Sequence, residues 1–201
     1  MAVTAQQVQE LRRKTGAGIM DCKRALAEAE GDIEKAVTLL RKQGVARADA
    51  RLSRQATEGV ISSYIHAGGR IGVLVELNCE TDFVARTDEF QELACNLAMH
   101  IAAEQPRYLR HEEVPEDVIE KEKEVYRALA VTEGRPEKVL DRIVEGRLGK
   151  FYSEVCLLEQ PYVRDDQMTV GQLIKEAMVK LGEHIVVRRF MRYQLGEESG
   201  S

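Results

Sequence analysis

The chain has 201 residues, 44% of them hydrophobic and 31% charged, with a formal net charge of −5. That length suits one ordinary domain plus a small one, and the apolar content is enough for a real core. The acidic balance excludes a nucleic-acid sheath, which needs a dominant basic surface, and no run approaches membrane-spanning length.

The first fifty residues read as three short helices. Thr4 with Gln7 forms a capping-box pattern ahead of a stripe begun by Val8 and Leu11, and the TGAG segment from Thr15 to Gly18 breaks that helix. A second helix carries Cys22, Ala25, Leu26 and Ala29 before Gly31 ends it. Asp32 caps a third, whose Ile33, Ala36, Val37 and Leu40 share one face and which Gly44 is expected to stop. A unit this small has a marginal core and is expected to lean on a partner or on the next domain. The polar stretch from Val45 to Gly59 places Arg47, Arg51 and Arg54 on one helical side, either as a solvated linker helix or as a basic docking face.

Beyond it the period becomes that of strands. GVISSYIHA and GRIGVLVELN flank Gly68-Gly69, a hairpin signal. Helical spacing returns from Asp88 to Glu104, with Phe90, Leu93, Leu97 and Ile101 on one side and Pro106 closing it. Pro115 and Pro136 each open a further helix. KFYSEVCLLEQPYV is ambiguous between a helix end and a strand, TVGQLIKEAMVKLG reads as a helix, and HIVVRRFMRYQL is β-rich enough to join the hairpin as a third strand. The pattern is that of an α+β protein with a small antiparallel sheet and no internal repeat. Its expected division is a helical domain over 1–45, a linker helix over 46–58, a core over 59–196 and a loose tail over 197–201.

Little in the chain offers covalent chemistry. Gly16 and Gly18 form a GxG, yet no strand precedes it and no lysine-serine follows, so a helix–helix turn explains it better than a phosphate loop. His66, His100, His111 and His184 have no carboxylate or cysteine at ligand spacing, so no metal is expected. Cys22, Cys79, Cys95 and Cys156 lie far apart with no CxxC, which fits reduced thiols, and the apolar setting of Cys156 should leave it inert. MAVTAQQVQE has neither an apolar h-region nor transit-peptide character, so the expected location is cytoplasmic.

Asp82 and Phe83, in NCETDFVART, pose the sharpest question. Counted helically, Phe83 shares a stripe with Thr87, Phe90, Ala94, Leu97 and Ile101, which would make it a core residue with Asp82 as the N-cap of that helix. Alternatively, the turn projects Phe83 outward beside a carboxylate, as a binding hot spot. The pattern leaves both readings open.

LRRKTGAGIMDCKRAL with GDIEKAV, followed by ELNCETDFVARTDEF, VEGRLGKFYSEVCLLEQPYV and TVGQLIKEAM, resembles the translation elongation factor Ts family over nearly the whole chain. The resemblance implies a nucleotide exchange factor for the translational GTPase elongation factor Tu, without covalent chemistry or cofactor, and an N-terminal bundle of ubiquitin-associated type. By the same resemblance Arg12, Ile19, Met20 and Lys23 meet the GTPase. Thr81, Asp82, Phe83 and Val84 enter it and dislodge its magnesium, Phe83 wedging between two GTPase helices, and His66 comes near its phosphate-binding loop. Long members carry two copies of the core and a coiled-coil insertion, whereas here a single core is expected, so the resemblance implies a homodimer binding two GTPases. Two rival classes are an adaptor using the N-terminal bundle for ubiquitin-like partners, and a thiol enzyme depending on Cys22 or Cys79.

Overall fold

In a computed structural model that describes residues 3–197, Thr4 opens helix α1 (Ala5–Thr15) with a full capping box. Its Oγ1 accepts from the Gln7 amide, and Gln7 Oε1 accepts from the Thr4 amide at 3.0 Å. Gly16 ends the helix at φ 67°, a left-handed conformation that glycine adopts without penalty. Helix α2 (Ile19–Glu28) and helix α3 (Ile33–Asp49) follow, the latter capped by the Asp32 carboxylate on the Lys35 amide. Leu11, Cys22, Ala25, Leu26, Ala36 and Leu40 make the small core of this bundle.

Strands β1 (Glu58–Ile65) and β2 (Ile71–Cys79) form an antiparallel hairpin, turning at Gly68 and Gly69. Two helices come next: α4 (Asp82–Ala85), a single turn, and α5 (Asp88–Glu104). After a 3-10 turn at His111–Glu113, α6 (Glu116–Thr132) and α7 (Glu137–Val155) pack together as a helical pair. Pro115 and Pro136 stand at their N-caps, where a missing N–H costs nothing. Strands β3 (Pro161–Tyr162) and β4 (Asp165–Thr169) make a second, two-stranded sheet that the sequence pattern does not announce. Helix α8 (Val170–Leu181), opened by a Thr169–Gln172 capping box, leads to β5 (Val186–Gln194).

β5 pairs antiparallel with β2, giving the three-stranded order β1-β2-β5. One face of the sheet is the core: Val73, Val75, Leu77 and Cys79 of β2 are buried with Phe90, Leu93, Leu97 and Ile101 of α5. The expected α+β architecture and the third strand are thus observed. The opposite face stands open, with Ile61, Ile65, Leu74, Met191 and Tyr193 exposed on it. Among the described residues no helix is long and apolar enough to cross a membrane.

Two local expectations are corrected. Gly44 does not stop α3, which continues to Asp49; no separate linker helix follows, only turns at 50–53 before β1. A Cβ on Gly44 would lie 2.8 Å from Val179 Cγ1, so the glycine serves close approach of α3 to α8 rather than termination. Nor do Arg47, Arg51 and Arg54 share one helical side, since α3 ends at Asp49. Arg47 binds Asp21 with two hydrogen bonds of 3.0 Å, Arg51 donates to the Met178 carbonyl at 3.3 Å, and Arg54 pairs with Glu80 at 3.4 Å. The loose tail expected at 197–201 lies, from 198 onward, outside the described residues.

Candidate partner-binding site

The end of β2 and the start of α4 settle what the pattern left open. Thr81, in extended conformation, is the N-cap of α4: its Oγ1 accepts from the Val84 amide at 3.4 Å. Thr87 then breaks the chain and caps α5, its Oγ1 accepting from the Phe90 amide at 3.3 Å while its hydroxyl donates to the Val84 carbonyl at 2.8 Å. Asp82 is therefore not the N-cap of the long helix. Because the helical phase restarts at Thr87, Phe83 leaves the stripe of Phe90 and Leu97. Ala85 is buried and Val84 packs on the core, whereas Phe83 is 81% exposed. Asp82 turns to the surface and pairs with Arg86 at 3.0 Å.

The turn is held from outside its own segment. Glu183, in the loop between α8 and β5, takes hydrogen bonds at Oε2 from the Glu80 amide at 3.0 Å and the Thr81 amide at 3.1 Å. Its Oε1 accepts from the Thr81 hydroxyl at 2.6 Å. In return, Glu80 Oε1 accepts from the His184 amide at 2.7 Å. That hydrogen bond, with the Arg54 guanidinium, holds the Glu80 carboxyl below its ordinary pKa. His184 Nδ1 lies 2.7 Å from the Arg54 carbonyl and so carries a hydrogen there.

The other expected contact residues fall elsewhere. Ile19 and Met20 are 55% and 72% exposed in the first turn of α2, with Lys23 exposed one turn on and Arg12 exposed in the last turn of α1. The TGAG segment builds this surface: Gly16 ends α1, Gly18 is the N-cap of α2, and the buried Cys22 thiol donates to the Ala17 carbonyl at 3.6 Å. His66 is exposed just past β1, its Nδ1 3.1 Å from the Tyr64 hydroxyl. It is not brought to Phe83. Glu58 pairs with Cys79 at the Phe83 end of the hairpin, and His66 lies at the other end, about 26 Å away along the strand.

Chemistry elsewhere is sparse. Burial, with the Glu183 charge adding to it, pushes the Cys79 thiol up to about 11, and burial pushes Cys156 up to about 12, so both stay protonated. Cys22 is buried as well. One histidine departs from expectation: His111 Nδ1 lies 2.8 Å from Glu159 Oε1, and Glu112 stands on its other side at 3.4 Å. The Glu159 hydrogen bond raises the His111 pKa, favouring the protonated ring. Glu159 is far from His111 in sequence, which is why spacing did not show it.

A family model described as Elongation factor TS matches residues 4–197. The chain belongs to the elongation factor Ts family. It is 58% identical over 195 residues to elongation factor Ts of Carboxydothermus hydrogenoformans, covering 97% of this chain and 90% of that one. It is 56% identical over 199 residues to elongation factor Ts of Solibacter usitatus, covering 99% and 94%. Elongation factor Ts of Caldanaerobacter subterraneus is 58% identical over 195 residues, covering 97% and 98%. Membership places the chain among the elongation factors of protein biosynthesis.

Proposed function

We propose that this chain is a guanine nucleotide exchange factor for elongation factor Tu: it binds the GDP-bound GTPase, displaces Mg²⁺ and promotes GDP release so that GTP enters. The observation that carries the reading is Phe83, a large apolar ring held in solvent on a turn braced by hydrogen bonds. Burying such a ring in a partner is worth about 1.5–3 kcal/mol. That is a bias of roughly tenfold to a hundredfold toward a displaced partner conformation. Mg²⁺ demands near-ideal octahedral geometry, so a shift of about one ångström in its ligands weakens it sharply. GDP loses a principal electrostatic anchor with it. By linkage, GDP must weaken the factor's binding to the same extent as the factor weakens GDP's.

In this reading Arg12, Ile19, Met20 and Lys23, on a bundle of ubiquitin-associated type, dock the GTPase. Thr81, Asp82, Phe83 and Val84 carry the displacement, and His66 approaches the phosphate-binding loop. The working unit is a homodimer binding two GTPases. Support comes from the open apolar face of the sheet, and from the distance between His66 and Phe83, which one copy cannot bring to one point. Function lies in the cytoplasm, where translation proceeds.

The test is displacement of a fluorescent GDP from elongation factor Tu. Phe83→Ala should fold normally and slow stimulated release by at least about tenfold. An unchanged rate, with or without added Mg²⁺, rules the wedge out.

A further inference from the structure

We propose that Glu183 is a positioning residue for this exchange reaction, its carboxylate fixing the Glu80–Thr81 turn so that Phe83 is presented in one orientation. The proposal rests on the wedge reading of Phe83.

Helix α4 has only four residues, far below the length at which a helix persists unaided. Its exposed Phe83 adds little packing, and Ala85 and Val84 meet the core. The Gln91 side chain donates to the Ala85 carbonyl at 2.6 Å and the Cys79 thiol to the Thr81 carbonyl at 3.1 Å, none of which fixes the Thr81 hydroxyl. Its N-cap hydroxyl cannot by itself fix the turn, because a threonine side chain rotates among staggered wells. Glu183 removes that freedom. The Thr81 hydroxyl donates to Glu183 Oε1 at 2.6 Å, which leaves an oxygen lone pair facing the Val84 amide. The two amides that precede α4, those of Glu80 and Thr81, converge on Glu183 Oε2 at 3.0 and 3.1 Å. One carboxylate thus satisfies three donors with charge-assisted hydrogen bonds, the stronger kind. The reverse bond, from the His184 amide to Glu80 at 2.7 Å, fixes the loop that carries Glu183 against the same turn. Glu183 acts through Thr81 and the Glu80 amide, to which its hydrogen bonds run.

The consequence is one of preorganisation. A wedge that samples several orientations is competent for only a fraction of the time, and its effect on a partner scales with that fraction. Losing three bonds to a charged acceptor should turn a mostly presented wedge into a mostly open one, lowering the presented fraction about tenfold.

Amide hydrogen exchange by NMR on the free full-length chain reads the turn, and GDP displacement from elongation factor Tu reads its effect. In Glu183→Ala, the amides of Glu80, Thr81 and Val84 should exchange at least about tenfold faster, while buried amides of β2 and α5 keep their protection. The maximal rate of stimulated GDP release should fall about tenfold, with the half-saturating concentration within about twofold, because the α2 docking surface is untouched. Glu183→Gln keeps an acceptor oxygen and should recover part of both effects. Turn amides that stay protected in Glu183→Ala overturn the assignment, and a loosened turn with undiminished exchange overturns the positioning role. If Phe83→Ala leaves GDP release unchanged, the wedge reading and the functional half of this proposal fall together, while the amide measurement still decides whether Glu183 holds the turn.

Discussion

His100 Nε2 lies 3.0 Å from Gln160 Oε1, and both side chains are buried. Gln160 spends its amide hydrogens on the carbonyls of Glu104 and Glu154, at 3.1 and 2.8 Å, so its oxygen faces the ring. The Val163 amide donates to His100 Nδ1 at 3.2 Å, which assigns the ring proton to Nε2 and leaves the imidazole neutral. Burial lowers the His100 pKa against smaller opposing effects of Gln160 and Glu104. These two residues tie α5, the end of α7 and the β3–β4 hairpin together.

Stability should therefore depend on pH through this ring. The unfolded imidazole takes up a proton near its ordinary value of about 6.5, whereas the folded one does so only at lower pH. The contribution of neutral His100 is complete above about 6.5 and is lost as pH falls below it. In urea unfolding, wild type should lose stability below about pH 6.5 more steeply than His100→Gln, by up to about 1.4 kcal/mol per pH unit. Parallel pH profiles would refute this.

Close approach of α3 to α8 should make Gly44 intolerant of bulk. Gly44→Leu forces a side chain into the place of the Val179 methyls and should cost about 1–3 kcal/mol in urea unfolding. Val179→Ala should recover part of that loss in a double-mutant cycle. Strict additivity of the two changes would show that the helices do not meet there.

On the open sheet face, Leu74 pairs with Met191 across β2 and β5. If this face buries itself in a second copy, light scattering at micromolar concentration returns about twice 22.6 kDa. Leu74→Asp with Met191→Asp should reduce the mass to that of one chain while the circular dichroism spectrum is kept. A wild-type mass of one chain counts against the dimer.

Thiol titration offers a simple check on burial. Cys95 is exposed, whereas Cys22, Cys79 and Cys156 are buried. A disulfide reagent should modify one thiol quickly in the native protein and the other three only on unfolding, and Cys95→Ser should abolish the fast phase. Fast reaction of Cys79 or Cys156 would contradict the raised pKa values.

Much of the architecture was legible in local chemistry. Thr4 with Gln7, Asp32, Pro115 and Pro136 mark helix starts because caps act within one turn. Gly44 misled because its role depends on Val179, far away in sequence. The β3–β4 pair was missed because Asp165, Asp166 and Gln167 give no apolar alternation. Phe83 was undecidable by period alone, since the break depends on two threonines capping in succession. Glu183 left no signal at all: its partners lie 102 and 103 residues away, and a lone glutamate in a loop looks like any other.

The unbroken run of α3 from the bundle into contact with α8 has a kinetic consequence. Arg47 is bonded to Asp21 and Arg51 to the end of α8, so a continuous helix and two side-chain bonds, rather than a flexible tether, join the bundle that carries Met20 to the core that carries the Phe83 turn. On the proposed reading, a partner captured at the first would meet the second at an effective concentration set by helix geometry, not by chain diffusion. Loosening that strut would leave each surface intact and still slow their joint engagement.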